Sequence, residues 1–294
     1  MKRIKIIQLI PVWRRPHILN LFLKHLRRNP PDYADVMPVF ITSPEDPDAE
    51  AIAWLLRREK VFQYKNQPLG EKMNAGINFI RSLKWDYLMN IGSDNIYTAL
   101  LWELYREPFG RGAVFFGIND FHCMNYHTGE IALIRGYNTG PDDQPAPIGA
   151  GRMIARSILP GDDIYRKEWM WGMDGCSMYR LWQDGHKAEV IETNGRPVML
   201  NVMTLTNLTQ WVELQGLIPC NRLKMRAAFG LDAYRVVEVG LTLTAFADEV
   251  TRRVSECGSR RAAFEMVNEE VRQQTGQVRY KNYQTFRTAI FKTK

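Results

Sequence analysis

Nothing in this 294-residue chain is apolar for long enough to cross a bilayer as a helix, which takes about 20 residues. Cysteine is scarce. Cys123, Cys176, Cys220 and Cys257 stand far apart, with neither zinc-site spacing nor the density of a disulfide framework. The basic N-terminus runs into a strand-like pattern, not a signal peptide, so a reducing, cytoplasmic setting is expected. Only five histidines are present and none follows His186. His122 and His127 flank a hairpin-like turn without a third ligand close in sequence, so a zinc role there is not expected. No glycine-rich phosphate loop follows the first strand-like run, which argues against a nucleotidyltransferase. Gly149-Ala150-Gly151 lacks both a preceding strand and the last glycine of a dinucleotide fingerprint.

Acids are missing from both ends. Residues 1–30 carry eight bases and no acid; residues 275–294 carry five bases (Arg279, Lys281, Arg287, Lys292, Lys294) and no acid. These 13 exceed the net charge of +7, so the chain between them carries −6 (7 − 13). Two basic ends suit a polyanionic partner, although such runs are often merely solvated faces.

What is present is a 45% hydrophobic chain, ample for a core and long enough for one large domain or one domain with an appendage. Strand-like runs at Ile4–Val12, Val36–Thr42, Val61–Tyr64 and Tyr87–Ile91 alternate with helical patterns at Pro16–Arg28, Asp48–Lys60 and Glu71–Leu83. In the first helical pattern Ile18, Leu19, Phe22, Leu23 and Leu26 recur at helical spacing, with Pro16 in the first turn. The alternation predicts an α/β domain, a mostly parallel sheet flanked by helices. Val114–Asn119, Phe121–Tyr126 and Ile131–Ile134 read as antiparallel strands. The Pro-, Gly- and Asp-rich stretch 138–147 reads as a loop, either a lid or plain surface.

The fourth strand-like run stops at Gly92 and delivers Ser93, Asp94 and Asn95 into a turn. In open α/β sheets ligands lie beyond the carboxyl ends of strands, and hard oxygen ligands there suit Mg²⁺ or Mn²⁺ on a diphosphate. A plain Asx turn fits the same residues. Asp174, within Trp169-Met170-Trp171-Gly172-Met173-Asp174, reads either as a helix cap beside core tryptophans or as a functional acid.

Four elements in order make the first half resemble the nucleotide-sugar glycosyltransferases of the GT-A fold, family-2-like. They are Pro11-Val12-Trp13-Arg14-Arg15-Pro16, similar to a Pro-x-x-x-Arg-Pro lead into the first helix; Thr42-Ser43-Pro44-Glu45-Asp46; Lys72-Met73-Asn74-Ala75-Gly76; and Gly92-Ser93-Asp94-Asn95, in the place of an Asp-x-Asp or Gly-Ser-Asp-Asp motif. The resemblance covers about residues 4–190. It implies donor contacts from Pro11, Trp13, Arg14, Glu45, Lys72, Asn74, Ser93 and Asp94, and a Mn²⁺ or Mg²⁺ ion at Asp94 and Asn95. Asn95 stands where relatives carry a second acid, so it brings oxygen without charge. The Trp-x-Gly-x-Asp resemblance implies Asp174 as catalytic base of an inverting transfer, with Gly151, Arg152, Trp169 and Trp171 lining the acceptor. A nucleotide-diphosphate-sugar, UDP-linked, is the implied donor.

Residues 1–240 are therefore expected to form the transferase domain, and 241–294 a basic, helix-turn-helix-like segment or a helical cap. Tyr280, Tyr283 and Phe286 interleave with bases there, a pattern suited to stacking and phosphate contact. The expected acceptor is a hydroxymethylated base in DNA, as in phage DNA hypermodification. The rival acceptor is a cell-envelope or soluble glycan. A different class, a nucleic-acid-binding protein with a degenerate transferase domain, is kept open by Asn95 and the missing late histidine.

Overall fold

The computed structural model describes residues 3–28, 30–126, 128–136, 145–170, 172–204, 207, 214 and 216–231. Trp171, His127, residues 138–144 of the loop and the whole segment 241–294 lie outside the described residues.

Two compact units divide the chain. The first spans residues 1–124, 131–202 and 215–229 and is built on a seven-stranded sheet. Its strands are β1 (Ile4–Pro11), β2 (Ala34–Thr42), β3 (Lys60–Gln63), β4 (Tyr87–Asn90), β6 (Phe115–Ile118), β9 (Met153–Ala155) and β10 (Glu189–Ile191), in the order β10-β6-β9-β4-β1-β2-β3. Pairing is parallel for β1 with β2 and β4, β2 with β3, and β10 with β6. Only β9 runs antiparallel, between β4 and β6. Helices α1 (Pro16–Leu26), α2 (Ala49–Leu55) and α3 (Leu69–Ile80) connect the first four strands. The architecture is α/β with a mostly parallel sheet flanked by helices, as the sequence pattern predicts.

The physical reason is visible in β1. Ile6, Ile7, Leu9 and Ile10 are all buried, so both faces of the strand are covered, which a near-continuous apolar run requires. α1 buries Ile18, Leu19, Phe22 and Leu23 from one face. α3 presses Gly76 against β1 and β2, where a side-chain carbon would overlap Ile41 Cδ1 and meet Leu9 Cδ1 at 3.2 Å.

Three elements depart from the pattern. α2 ends at Leu55, well before residue 60, because Lys60–Gln63 are claimed as β3 opposite Val39–Thr42. No element is expected over 99–110, yet α4 (Ala99–Gly110) forms there with Leu101, Trp102, Tyr105 and Phe109 buried; Pro108 masks its helical spacing. Asn95 does not remain in the turn but starts β5 (Asn95–Tyr97). That strand joins a second sheet, β12-β8-β7-β11-β5, with β7 (Phe121–Asn125), β8 (Ile131–Ile134), β11 (Met199–Met203) and β12 (Ile218–Pro219). β7 and β8 are the expected antiparallel hairpin, whereas β6 belongs to the first sheet. Helices α5 (Met173–Gln183) and α6 (Arg222–Ala228) complete the described elements.

Of the second unit, residues 125–130, 203–214 and 230–294, the described part is a tight turn and its neighbours. Asn125 N donates to Glu130 O at 2.9 Å, Gly129 N to Asn125 O at 2.7 Å, and Tyr126 N to Met203 O at 2.9 Å. No helix among the described residues is long and apolar enough to cross a membrane.

Replacing Gly76 by Val forces a branched side chain into the α3–sheet contact. Urea unfolding should show a loss of about 1–3 kcal/mol, as overpacking in a filled core does; an unchanged midpoint would mean that α3 can move away from the sheet at no cost.

Candidate functional site

β1 and β4 are parallel neighbours, while the chain leaves β1 for β2 on the other side. Strand order therefore reverses between them, and the loops that follow both open on the same edge. Crevices at such switch points hold the ligands of open α/β sheets.

The loop after β1 carries the unusual backbone. Arg14 and Arg15 both lie in the left-handed region, with φ of 56° and 57°. For residues with a side chain this costs about 1–2 kcal/mol each, so neighbouring bonds must impose it. Arg14 N donates to Asp46 Oδ2 at 2.6 Å, and Asp46 Oδ1 accepts from Asp48 N at 2.9 Å. Val12 N donates to Ile41 O at 2.9 Å. Pro16 then starts α1, for which Arg15 is the N-cap. The Arg14 guanidinium lies 5.6 Å from the centre of the Trp13 ring. Arg15 Nη1 donates to Asp94 Oδ2 at 3.0 Å, with the two side chains 15% and 13% exposed.

The loop after β4 closes on itself. Asn95 N donates to Gly92 O at 3.1 Å and Gly92 N to Asn95 Oδ1 at 2.7 Å. A side-chain carbon on Gly92 would sit 2.6 Å from Asp94 Oδ1, so only glycine lets that carboxylate fold back over the turn. Ser93 and Asn95 are buried.

Lys72 and Asn74 are expected as donor contacts but are enclosed. The Lys72 ammonium donates to Val12 O (2.8 Å), Ser43 Oγ (2.9 Å) and Asn66 Oδ1 (3.1 Å), clasping the loops after β1, β2 and β3. Burial pushes its pKa down to about 8, against the pull of Asp46 and Glu45. Asn74 spends both ends of its amide on Tyr165, donating to its carbonyl at 2.7 Å and accepting from its N–H at 3.1 Å. Both residues thus brace the loops at this edge of the sheet. Glu45 is exposed; its carboxylate accepts Asn66 N–H at 2.5 Å, which holds its pKa down. Pro11 and Trp13 are half-buried at the mouth of the first loop.

Asp174 stands in the first turn of α5, exposed, after Gly172 in the left-handed region at φ 71°. Its carboxylate lies flat on Gly149, where any side-chain carbon would overlap it. Gly149 belongs to a turn bonded to the end of β4: Gly151 N donates to Asn90 O at 2.7 Å, and Asn90 N to Arg152 O at 3.2 Å. Asn90 Nδ2 also donates to the Tyr165 hydroxyl at 2.6 Å. Burial raises the pKa of that phenol, with Asp174 as the next cause. The α5 carboxylate is therefore tied, through Gly149–Arg152 and Tyr165, to Asn90 at the end of β4, the strand whose following loop carries Asp94.

Gly151 and Arg152, expected at the acceptor, are instead buried. Gly151, at φ 82°, accepts the Tyr105 hydroxyl at 2.8 Å on its carbonyl. Arg152 donates from Nη1 to Asp174 O (2.7 Å) and Ser177 Oγ (3.1 Å), and from Nη2 to Pro147 O (2.7 Å). It holds the start of α5 in place. Trp169 is half-buried beside Gly172, with the Arg166 guanidinium 4.8 Å from its ring centre.

A divalent ion at Asp94 and Asn95 does not fit these groups as they stand. Asp94 is ion-paired with Arg15, and the Asn95 oxygen closes the turn on Gly92. Among the described residues no group of three or more His, Cys, Asp and Glu side chains is arranged to hold a metal ion. Arg15, Asp46, Gly149 and Tyr165 were not singled out as site residues by sequence. The arginine of the Pro-x-x-x-Arg-Pro pattern is Arg15, and Asp46 closes the second quoted element, so those signals were in the motifs; Gly149 and Tyr165 are defined only by contacts.

No family model matches the chain, and no curated protein does. Among solved structures the chain is similar to a 4-diphosphocytidyl-2C-methyl-D-erythritol synthase, at 15% identity and TM-score 0.43, covering 67% of this chain and 92% of that one. It is also similar to S. aureus TarS residues 1–349, at 11% identity and TM-score 0.48, covering 98% of this chain and 90% of that one.

The lowered pKa of Lys72 has a definite sign in stability. Between about pH 8 and the ordinary lysine range the unfolded chain holds a proton that the folded one has released, so folding gains as pH rises there. Comparing wild type with Lys72→Met in urea unfolding, the wild type should gain on the variant from pH 8 to about pH 10; a constant difference would mean that the ammonium is hydrated.

Proposed function

We propose that this chain transfers a sugar, with inversion, from a nucleotide-diphosphate-sugar, UDP-linked, to an acceptor hydroxyl. One observation carries the reading: the loops after β1 and β4 meet in the Arg15–Asp94 ion pair, with Arg14 next to it in the chain, and the Asp174 carboxylate lies on the turn bonded to β4. Cations suit a diphosphate, and an exposed carboxylate suits a base.

In this reaction Asp174 takes the proton of the acceptor hydroxyl as its oxygen bonds to the anomeric carbon. The bond from that carbon to the diphosphate oxygen breaks, and its electron pair leaves with the diphosphate. Arg14 and Arg15 meet the charge that develops, and Lys72 from its buried position adds to the positive field. Ser93, Pro11, Trp13 and Glu45 border the donor. The expected Mn²⁺ or Mg²⁺ is left out, because Asp94 and Asn95 are engaged elsewhere.

The proposed acceptor is a hydroxymethylated base in DNA. It is supported by the net charge of +7 and the acid-free segment 275–294. A base flipped from the stack loses a few kcal/mol, which stacking on an aromatic such as Trp169 would offset. The N-terminal bases support it less than their number suggests, since Arg3 pairs with Asp35, Arg15 with Asp94 and Arg27 with Glu59. A glycan acceptor is favoured by a separate observation: Tyr179 and Trp182 on α5 stand 6.0 Å apart at 32°, Tyr179 exposed, a platform suited to a sugar face.

The test is a transfer screen with UDP- and GDP-sugars, offered with hydroxymethylated DNA, unmodified DNA or glycans. Diphosphate release only with hydroxymethylated DNA, together with a sugar-sized mass on its bases, is the expected result. Turnover with glycans alone moves the acceptor to the second reading, and no donor binding at all returns the chain to a degenerate domain. Asp174→Asn should lower kcat by about 10²–10⁴-fold while leaving donor affinity nearly unchanged; a kcat near wild type would remove Asp174 from the chemistry.

A further inference from the structure

We propose that Arg15, held by Asp94, occupies the role of a divalent ion on the donor diphosphate, so that donor binding needs no metal. This rests on the diphosphate-donor reading above.

Both oxygens of Asp94 are already placed. Oδ2 accepts Arg15 Nη1 at 3.0 Å, and Oδ1 is folded over Gly92. The next residue, where a second acid would complete an ion's ligands, is an amide turned inward to Gly92 N–H at 2.7 Å. An incoming divalent ion would have to displace a guanidinium from a pair largely shielded from water, and like charges would then share one carboxylate.

The guanidinium can do what the ion would. It is a rigid planar fork of five donors that matches phosphate geometry, so it can bridge a carboxylate and a diphosphate together. The charges agree too. Arg14 and Arg15 less Asp94 make +1, the same as a divalent ion on one carboxylate (2 − 1).

The backbone gives independent support. Two consecutive arginines lie left-handed; Asp46 accepts Arg14 N–H, and Arg15 O accepts the N–H groups of Ile18 and Leu19 in the first turn of α1. Strain of this kind persists where the surroundings impose it, and it collects at ligand clamps. Here it keeps Arg15 at the start of α1, whose amino end itself favours an anion.

The experiment titrates UDP and GDP into the full-length protein by calorimetry, in excess EDTA and separately in Mn²⁺, with Mn²⁺ also followed by electron paramagnetic resonance. Expected are binding in EDTA as tight as in Mn²⁺, and an ion signal that the protein leaves the same as in a protein-free control with the same nucleotide. Arg15→Ala should weaken nucleotide binding in EDTA by about 10- to 100-fold. Arg15→Lys, the milder change should Arg15→Ala unfold, should recover only part of it because the fork is lost. Binding that appears only with Mn²⁺, or that survives Arg15→Ala unchanged, overturns the proposal and leaves the transferase reading intact. Failure to bind either nucleotide under both conditions overturns that reading as well.

Discussion

Ile6–Leu9 of β1 pair in parallel with Tyr87–Asn90 of β4, and this ladder sets where each candidate ligand group stands. Because the register brings the two strands to an end side by side, residues 79 positions apart meet as the Arg15–Asp94 ion pair. The same β4 end accepts Gly151 N–H and so fixes the turn on which the Asp174 carboxylate lies. The antiparallel strand β9 continues from that turn, so the one reversal in the sheet is also what carries the α5 carboxylate to the edge where β1 ends. Loss of the β1–β4 pairing would separate the proposed donor and acceptor groups together.

Beneath this edge two cations are buried against neutral oxygens. Lys72 faces a carbonyl, a hydroxyl and an amide oxygen; Arg152 faces two carbonyls and the Ser177 hydroxyl. Enclosing a charge is costly unless it is well bonded, and the lowered pKa of Lys72 records that cost. Near the loop that carries Arg14 and Arg15, both add a fixed positive potential, which under the proposed function would need no rearrangement to meet a diphosphate. Their hydrogen bonds do structural work as well, joining three loops in one case and seating α5 in the other. Lys72 and Arg152, expected to touch ligands, are thus both spent on hydrogen bonds inside the protein.

Reading the fold from sequence worked where burial has a simple period. The apolar runs of β1, β2 and β4, and the spacing of Ile18, Leu19, Phe22 and Leu23, are local signals of two-sided and one-sided burial. It failed where a distant partner decides. Lys60 leaves α2 because β2 offers it a ladder; Asn95 becomes strand because β11 lies opposite; α4 is obscured by Pro108 although its apolar residues are well spaced. Charge shows the same limit. The acid-free first thirty residues suggest a bare cationic surface, but Arg3, Arg15 and Arg27 find acids from later in the chain.

The order of residues alone was enough for the alternating α/β pattern, for the turn after β4 that carries Asp94 and for the acid that opens α5, because each depends on neighbours a few positions away. It could not show that Arg15 meets Asp94 or that Lys72 is enclosed. Nor could it show that Arg152 lies under the site instead of lining it, or that Asn95 spends its oxygen on Gly92. Those outcomes follow from the strand register and from the requirement that every buried polar group find a partner, and both are satisfied only when distant segments have come together.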